Sequence, residues 1–459
     1  VTQKHDDASS PEGSDPRPLP RQILALAVPA LGALVAEPLF LMADTAIIGW
    51  LGTAQLAGAA LGVTVMHTVV GLMIFLAYST TPAVARFVGA GKTSKALAAG
   101  RDGLWLALGL GVVLALAGLA AGESVLQAMG SAGAIHPHAL DYLLWSLPGL
   151  PAMLLVFAGV GALRGFQDTK TPLVVAGCGF GANALLNLIL VHPVGLGVAG
   201  AAIGTSIAQW GMAIAYLVIL IPRMRAAGVT LGVDPIALRS AAQVGGWMFL
   251  RTLTLRAALV ATVIVATDLG PETLAAHQVA FTFFSTLAFV LDALAIAAQA
   301  LIGRELGASK PLSARRMTRL MTWWGVGFGA LMGVLTALAA PWVPLLFTPD
   351  EQVAHMITIA MFVLAAAQPV AGYVFVLDGV LMGAGDVRYL ALAGVVNLGM
   401  YLPVLWWVSQ SVGTEGPDLS GEPILWLWLA FGVLFLGARA LTLGVRAATD
   451  RWMVLGATR

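Results

Sequence analysis

The sequence predicts an all-α polytopic membrane protein, with twelve transmembrane helices in two homologous six-helix lobes. Three observations carry that prediction: the apolar runs, the placement of basic residues, and an internal repeat. Of 459 residues, 59% are hydrophobic and only 10% charged, with mean hydropathy +0.89. A soluble domain carries about a quarter charged residues, so a soluble fold is excluded.

Apolar runs recur at 23–48, 55–83, 103–122, 139–163, 171–191, 196–221, 241–267, 273–302, 317–342, 351–382, 389–410 and 423–445. Each reaches the roughly 20 residues that a helix needs to cross a bilayer. Twenty-two of the 24 Lys and Arg fall in the N-terminal tail, the even-numbered loops or the C-terminal end. The odd-numbered loops hold none, although they carry Glu123, Asp141, Asp268, Glu272, Asp350, Glu351, Glu415, Asp418 and Glu422. Cytoplasmic loops collect Lys and Arg, so both termini are expected in the cytoplasm.

A shift of 218 residues maps Arg86, Gly89, Ala90 and Lys92 onto Arg304, Gly307, Ala308 and Lys310. The same shift maps Gly161, Leu163, Gly165 and Asp168 onto Gly379, Leu381, Gly383 and Asp386. One unbroken offset means two homologous halves, and an even helix count makes them parallel. The domains follow: a disordered cytoplasmic tail at 1–20, an N-terminal lobe at 21–222, a cytoplasmic connector at 223–240 and a C-terminal lobe at 241–459. The tail is polar, acidic and proline-rich, without the apolar core of a signal peptide.

The first run contains Glu37-Pro38-Leu39-Phe40-Leu41-Met42-Ala43-Asp44. A charge in the hydrocarbon region costs at least ~2.5 kcal/mol, so such acids face protein or a wet cavity. Glu37 and Asp44 are two helical turns apart and share a side. Pro38 frees the carbonyl of Leu34 and makes the segment a candidate hinge. An ionisable group on a bendable intramembrane helix suits proton coupling; the plainer alternative is an acid satisfied by neighbouring helices. Phe40 beside the acids suits an apolar drug-like cation, or simply core packing.

Asn183 and Asn187 are one turn apart in the fifth run and share a face, as cavity wall or as interhelical glue. Arg251, Arg256, Asp292 and Asp378 are intramembrane charges of the second half. Opposite charges inside a bundle usually pair, so these four are expected to form a C-lobe network, with a second proton or substrate site as the alternative. His67 and His277 are single histidines outside any HExxH pattern, expected to be hydrogen-bonded structural residues.

Several classes are excluded. The single cysteine, Cys178, permits neither a disulfide framework nor a thiolate metal cluster. No GxxxxGK[ST] occurs, and no nucleophile–base or metal constellation stands out, so neither ATP hydrolysis nor another enzymatic activity is expected. The basic residues are scattered over loops rather than gathered in a patch, so nucleic acid is not an expected partner.

Certain motifs resemble those of the multidrug and toxin extrusion (MATE) transporters. They are Ala43-Asp44-Thr45 with Gly49-Trp50-Leu51-Gly52, the stretch Leu163-Arg164-Gly165-Phe166-Gln167-Asp168-Thr169-Lys170-Thr171-Pro172, and Gly197-Val198-Ala199-Gly200 through Gln209. Leu291-Asp292-Ala293-Leu294 with Gly303-Arg304-Glu305-Leu306-Gly307-Ala308, and Leu377-Asp378-Gly379 with Gly383-Ala384-Gly385-Asp386, resemble its DinF branch. The resemblance implies efflux of organic, often cationic, compounds by alternating access, driven by an inward cation gradient. It gives Asp44 the central coupling role and sets Thr205 in the same cavity wall. Relatives commonly carry Asn and Asp where this chain has Asn183 and Asn187, so a two-acid Na⁺ site lacks one carboxylate here. The expectation is therefore H⁺-coupled antiport without a bound cofactor or metal, by a monomer in a bacterial inner membrane. Its partners are the lipid bilayer and small organic substrates. Na⁺-coupled antiport and flipping of a lipid-linked precursor are the alternatives.

Overall fold

The computed structural model describes residues 18–411 and 422–457. The tail at 1–17, and Glu415 and Asp418 of the last loop, lie outside the described residues. Among the described residues, twelve helices are long and apolar enough to cross a membrane. The first six are α1 (Leu19–Gly49), α2 (Thr53–Gly89), α3 (Thr93–Ala128), α4 (Gly133–Gly165), α5 (Lys170–Val191) and α6 (Gly197–Ala226). The second six are α7 (Pro235–Asp268), α8 (Pro271–Gly307), α9 (Pro311–Ala339), α10 (Glu351–Gly383), α11 (Val387–Ser411) and α12 (Pro423–Ala448).

The helices run past the apolar sequence runs because their polar ends project beyond the hydrocarbon. The connector illustrates this: α6 continues through Arg223 and Arg225 to Ala226, and α7 already begins at Pro235. Asp234 caps α7 by accepting from the backbone N–H groups of Ile236 and Ala237, both at 3.1 Å, with Pro235 at the first helical position. Pro235, inside the expected connector, is thus a helix start.

The repeat is visible in the backbone. Helices α2 and α8 end at Gly89 and Gly307, while α4 and α10 end at Gly165 and Gly383, both pairs 218 residues apart. Left-handed residues recur at the same spacing: Gly91 (φ 69°) with Ser309 (φ 56°), and Gln167 (φ 62°) with Gly385 (φ 73°). In each pair the non-glycine partner adopts a conformation that costs roughly 1–2 kcal/mol, so the chain path is imposed by the packing.

Within the first lobe, α4 packs on α2 and α3, and α5 packs between α1 and α6. In the second, α10 packs on α8 and α9, and α7 packs on α11. The lobes meet where α8 lies against α1 and α2, and where α7 lies against α2 and α3. At the end marked by Lys and Arg, α2 and α8 approach so closely that a Cβ on Gly89 would overlap the Arg304 carbonyl. A Cβ on Gly307 would likewise overlap that of Arg86. Arg86 donates across the seam to the carbonyls of Ala384 (2.5 Å) and Val454 (3.0 Å). Arg304 donates to the side-chain oxygens of Gln167 (2.7 Å) and Gln22 (3.1 Å). The two lobes are thus bolted together at the basic end.

Candidate transport cavity

Helix α1 carries two prolines, Pro29 and Pro38, and remains helical through both. Pro29, absent from the sequence reading, removes the partner of the Ala25 carbonyl, and the Thr169 hydroxyl reaches that oxygen at 3.4 Å. Pro38 frees the carbonyl of Leu34, a residue that lines a cavity. The side chain of Glu37 lies outside the described residues.

Asp44 is buried, 6% exposed, and accepts a hydrogen bond from the Asn187 amide. The same amide nitrogen donates to Asn183 Oδ1 at 2.8 Å, and Asn183 Nδ2 donates to Thr205 Oγ1 at 3.0 Å. Four side chains from α1, α5 and α6, separated by up to 161 residues, therefore form one continuous chain of hydrogen bonds. Asn183, Asn187 and Thr205 are all buried. Gly204 makes room for it: a Cβ there would overlap Asn187 Oδ1. Among the described residues no basic side chain pairs with Asp44, so neutral dipoles alone meet its charge.

Asp44 and Thr205 line a cavity of about 200 Å³. Its walls are mainly apolar and aromatic, including Phe40, which stacks on Phe180 with centroids 5.1 Å apart and planes 16° from parallel. Phe40 is thus both packed and cavity-facing. Tyr78, Tyr142, Arg164 and Gln209 also line the cavity, and sequence reasoning named none of them as a site residue. A lone tyrosine or glutamine in an apolar run gives no positional signal.

The expected second-lobe network forms in part: Arg251 pairs with Asp378 and lies within electrostatic reach of Asp292, while Arg256 stands outside. Arg251 grips Asp378 through two nitrogens, with Nε 3.3 Å from Oδ1, and Arg439 lies 3.3 Å from the same carboxylate. Sequence reasoning counted Arg439 with the cytoplasmic end, although it falls inside the twelfth apolar run; that position was the available signal. Asp292 instead accepts from the Tyr78 hydroxyl of the first lobe at 3.1 Å and lines the cavity containing Asp44. Arg256 is exposed, with its guanidinium against Gly71 of α2, and stands apart from Asp378 and Asp292. The expected hydrogen bond of His277 is also absent among the described residues. Its ring packs on Phe281 and Trp428 while both nitrogens are buried without partners. No group of three His, Cys, Asp or Glu that could hold a metal occurs among the described residues.

The MatE family model matches residues 29–189 and 248–407, one match in each lobe. The chain is 31% identical over 457 residues to the Arabidopsis thaliana protein DETOXIFICATION 44, chloroplastic, covering 95% of this chain and 84% of the relative. It is 27% identical over 434 residues to the DNA damage-inducible protein F of Escherichia coli, covering 91% of this chain and 90% of that one. The Vibrio cholerae MATE transporter VcmN, solved in a bent form, superposes with a TM-score of 0.82 at 20% identity, over 95% of this chain and 98% of that one.

Proposed function

The chain belongs to the MatE family, and from that premise we propose that it is a multidrug efflux transporter exchanging protons for organic, often cationic, molecules. The observation that carries this reading is Asp44. It is a buried carboxyl in the wall of an apolar cavity, held by an amide chain and paired with no base among the described residues. Such a group can exchange a proton with the cavity, and its charge decides whether a cationic cargo is attracted. Pro38, and Pro29 below it, give α1 two points at which that change could alter the helix path.

Protons are favoured over Na⁺ because the hydrogen-bond partners of Asp44 among the described residues are neutral. A hard cation prefers several anionic oxygens, whereas Asn187 and Asn183 supply amides where a second carboxylate would be needed. Purified protein in liposomes should move a fluorescent cationic dye when a pH gradient is imposed at equal Na⁺. Transport driven by Na⁺ at clamped pH, and absent with a pH gradient alone, would reverse the assignment. Flipping of a lipid-linked pyrophosphate calls for several unpaired cations facing the cavity. Arg251 is tied to Asp378, Arg256 is exposed, and Arg164 alone among them lines the cavity.

The basic end is read as cytoplasmic from the placement of Lys and Arg, the membrane as a bacterial inner membrane, and the protein as a monomer. The cross-lobe bonds of Arg86 and Arg304 then support a state closed on the cytoplasmic side. A cysteine replacing exposed Ala134, in a Cys178→Ala background, should react with an impermeant maleimide from outside. Reaction only after permeabilisation would invert the topology.

A further inference from the structure

Helices α1 and α9 both pack against α8, and between them runs a furrow of about 540 Å³. Helix α1 belongs to the first lobe and α8 and α9 to the second, so the furrow follows the lobe seam. Ala293 of α8 lies buried on its floor, while Leu24 and Val28 of α1 and Trp323 of α9 stand exposed along its walls. Gly327 hollows the α9 wall, since a Cβ there would meet no atom within 4 Å. Apart from two indole nitrogens every lining side chain is apolar, and all three helices are membrane spans. In a bilayer the furrow therefore holds hydrocarbon.

The mouth of the furrow is charged. Both α1 and α9 start at the basic end, and Leu24 and Trp323 are the lining residues nearest those starts. Arg21 lies three residues before Leu24 and seven before Val28, and Arg319 lies four before Trp323. That spacing sets both arginines on the furrow side of their helices, one turn or about 5 Å beyond its apolar end. Arg316, seven residues before Trp323, follows one turn further out. All three are exposed, and none forms an ion pair among the described residues, whereas the adjacent Arg315 pairs with Asp450. Tryptophan gathers where hydrocarbon meets headgroups, and Trp323 marks that level here. An apolar furrow with unpaired guanidinium groups at its rim matches the two halves of an acidic lipid, because arginine grips phosphate as a fork. A zwitterionic headgroup brings its own cation to the same rim and gains less.

We propose that the furrow is a binding site for one anionic phospholipid from the leaflet at the basic end. Its acyl chains lie over Ala293 and Gly327, and its phosphate lies between Arg21 and Arg319. These two arginines belong to different lobes, so the headgroup ties the lobes together on the lipid face, as Arg86 and Arg304 tie them inside.

Native mass spectrometry of the purified full chain, titrated with dioleoyl phosphatidylglycerol or dioleoyl phosphatidylcholine, tests this with two lipids of equal chains and different charge. The parent should bind the anionic lipid about tenfold more tightly. Arg21→Gln with Arg319→Gln should bring the two lipids within about threefold. Arg223→Gln with Arg225→Gln, which removes two exposed arginines at the same end but on α6, should keep the full preference. Gly327→Phe fills the furrow and should weaken phosphatidylglycerol binding about fivefold. The arginine and glycine variants act at opposite ends of the site, so if one fails to fold the other still decides. No preference in the parent, or an undiminished preference without Arg21 and Arg319, overturns the proposal. An equal loss in the Arg223 and Arg225 variant also overturns it, by making the preference one of diffuse surface charge. So does unchanged lipid binding in Gly327→Phe, or a parent dimer that Gly327→Phe dissociates, which would give the furrow to a second copy of the chain.

Discussion

Equivalent positions in the two lobes have opposite contents. Subtracting 218 from Arg251, Asp292 and Asp378 gives Ala33, Ile74 and Val160, and all three line the cavity of the first lobe. Adding 218 to Asp44, Asn183 and Asn187 gives Thr262, Tyr401 and Leu405 in the second. Where the first lobe has an acid bound to amides, the second has a neutral hydroxyl pair, with Thr262 and Tyr401 2.8 Å apart. Where the second lobe is filled by paired charges, the first is apolar and hollow. A duplicated framework has thus kept its backbone and divided its chemistry: Asp44 of the first lobe is met by neutral groups, whereas Asp378 of the second is held between Arg251 and Arg439. The first arrangement can change state cheaply on gaining a proton, and the second resists change because loss of the carboxylate leaves two buried guanidinium groups without it.

The largest expected effect breaks that comparison at its active side. Asp44→Asn keeps an acceptor for the Asn187 amide and removes the exchangeable charge. Proton-driven dye efflux should fall to background, while thermal stability stays close to the parent because a neutral amide is easier to bury than a carboxylate. Full efflux in this variant would end the coupling role of Asp44, and gross unfolding would make the acid structural.

The second lobe should respond in the opposite sense. Asp378→Asn leaves Arg251 and Arg439 buried against one another with no carboxylate between them. Removing one partner from a buried ion pair costs about 3–5 kcal/mol, so the melting temperature should drop sharply and efflux per folded molecule should change little. A normal melt with lost efflux would make this trio a second functional site and erase the contrast between the lobes.

Most of the architecture was legible in the sequence, since span number, repeat offset and charge asymmetry all follow from rules that act locally along the chain. The first-lobe site was legible residue by residue, because Asp44, Asn183 and Asn187 are polar groups in apolar runs, where each needs a reason. The hydrogen-bond order from Asp44 to Thr205 was not, because it depends on how α1, α5 and α6 are rotated against each other. Of the second-lobe charges, Arg251 and Asp378 pair as expected, while Asp292 and Arg256 take other neighbours. Reasoning from opposite charges alone overlooked Tyr78, a neutral donor from the other lobe, and Arg439, which was counted with the cytoplasmic end. Polar residues announce that they need a partner; they do not announce which one.

The smallest expected effect concerns Thr262, the counterpart of Asp44. Thr262 is 2% exposed, and its hydroxyl meets both the Ala258 carbonyl and the Tyr401 hydroxyl at 2.8 Å. Thr262→Val has almost the same shape and strands the Tyr401 hydroxyl, whose only partner among the described residues is Thr262. Leaving one buried polar group unsatisfied costs about 1–3 kcal/mol. Adding Tyr401→Phe removes the stranded group as well, so the double variant should recover most of the loss. Efflux should match the parent in both variants, because no charge is exchanged at this position. If Thr262→Val instead impaired coupling as Asp44→Asn is expected to, the two lobes would share one mechanism despite their different residues. If the double variant were no more stable than the single, the hydroxyl pair would not be the unit that holds this part of the second lobe together.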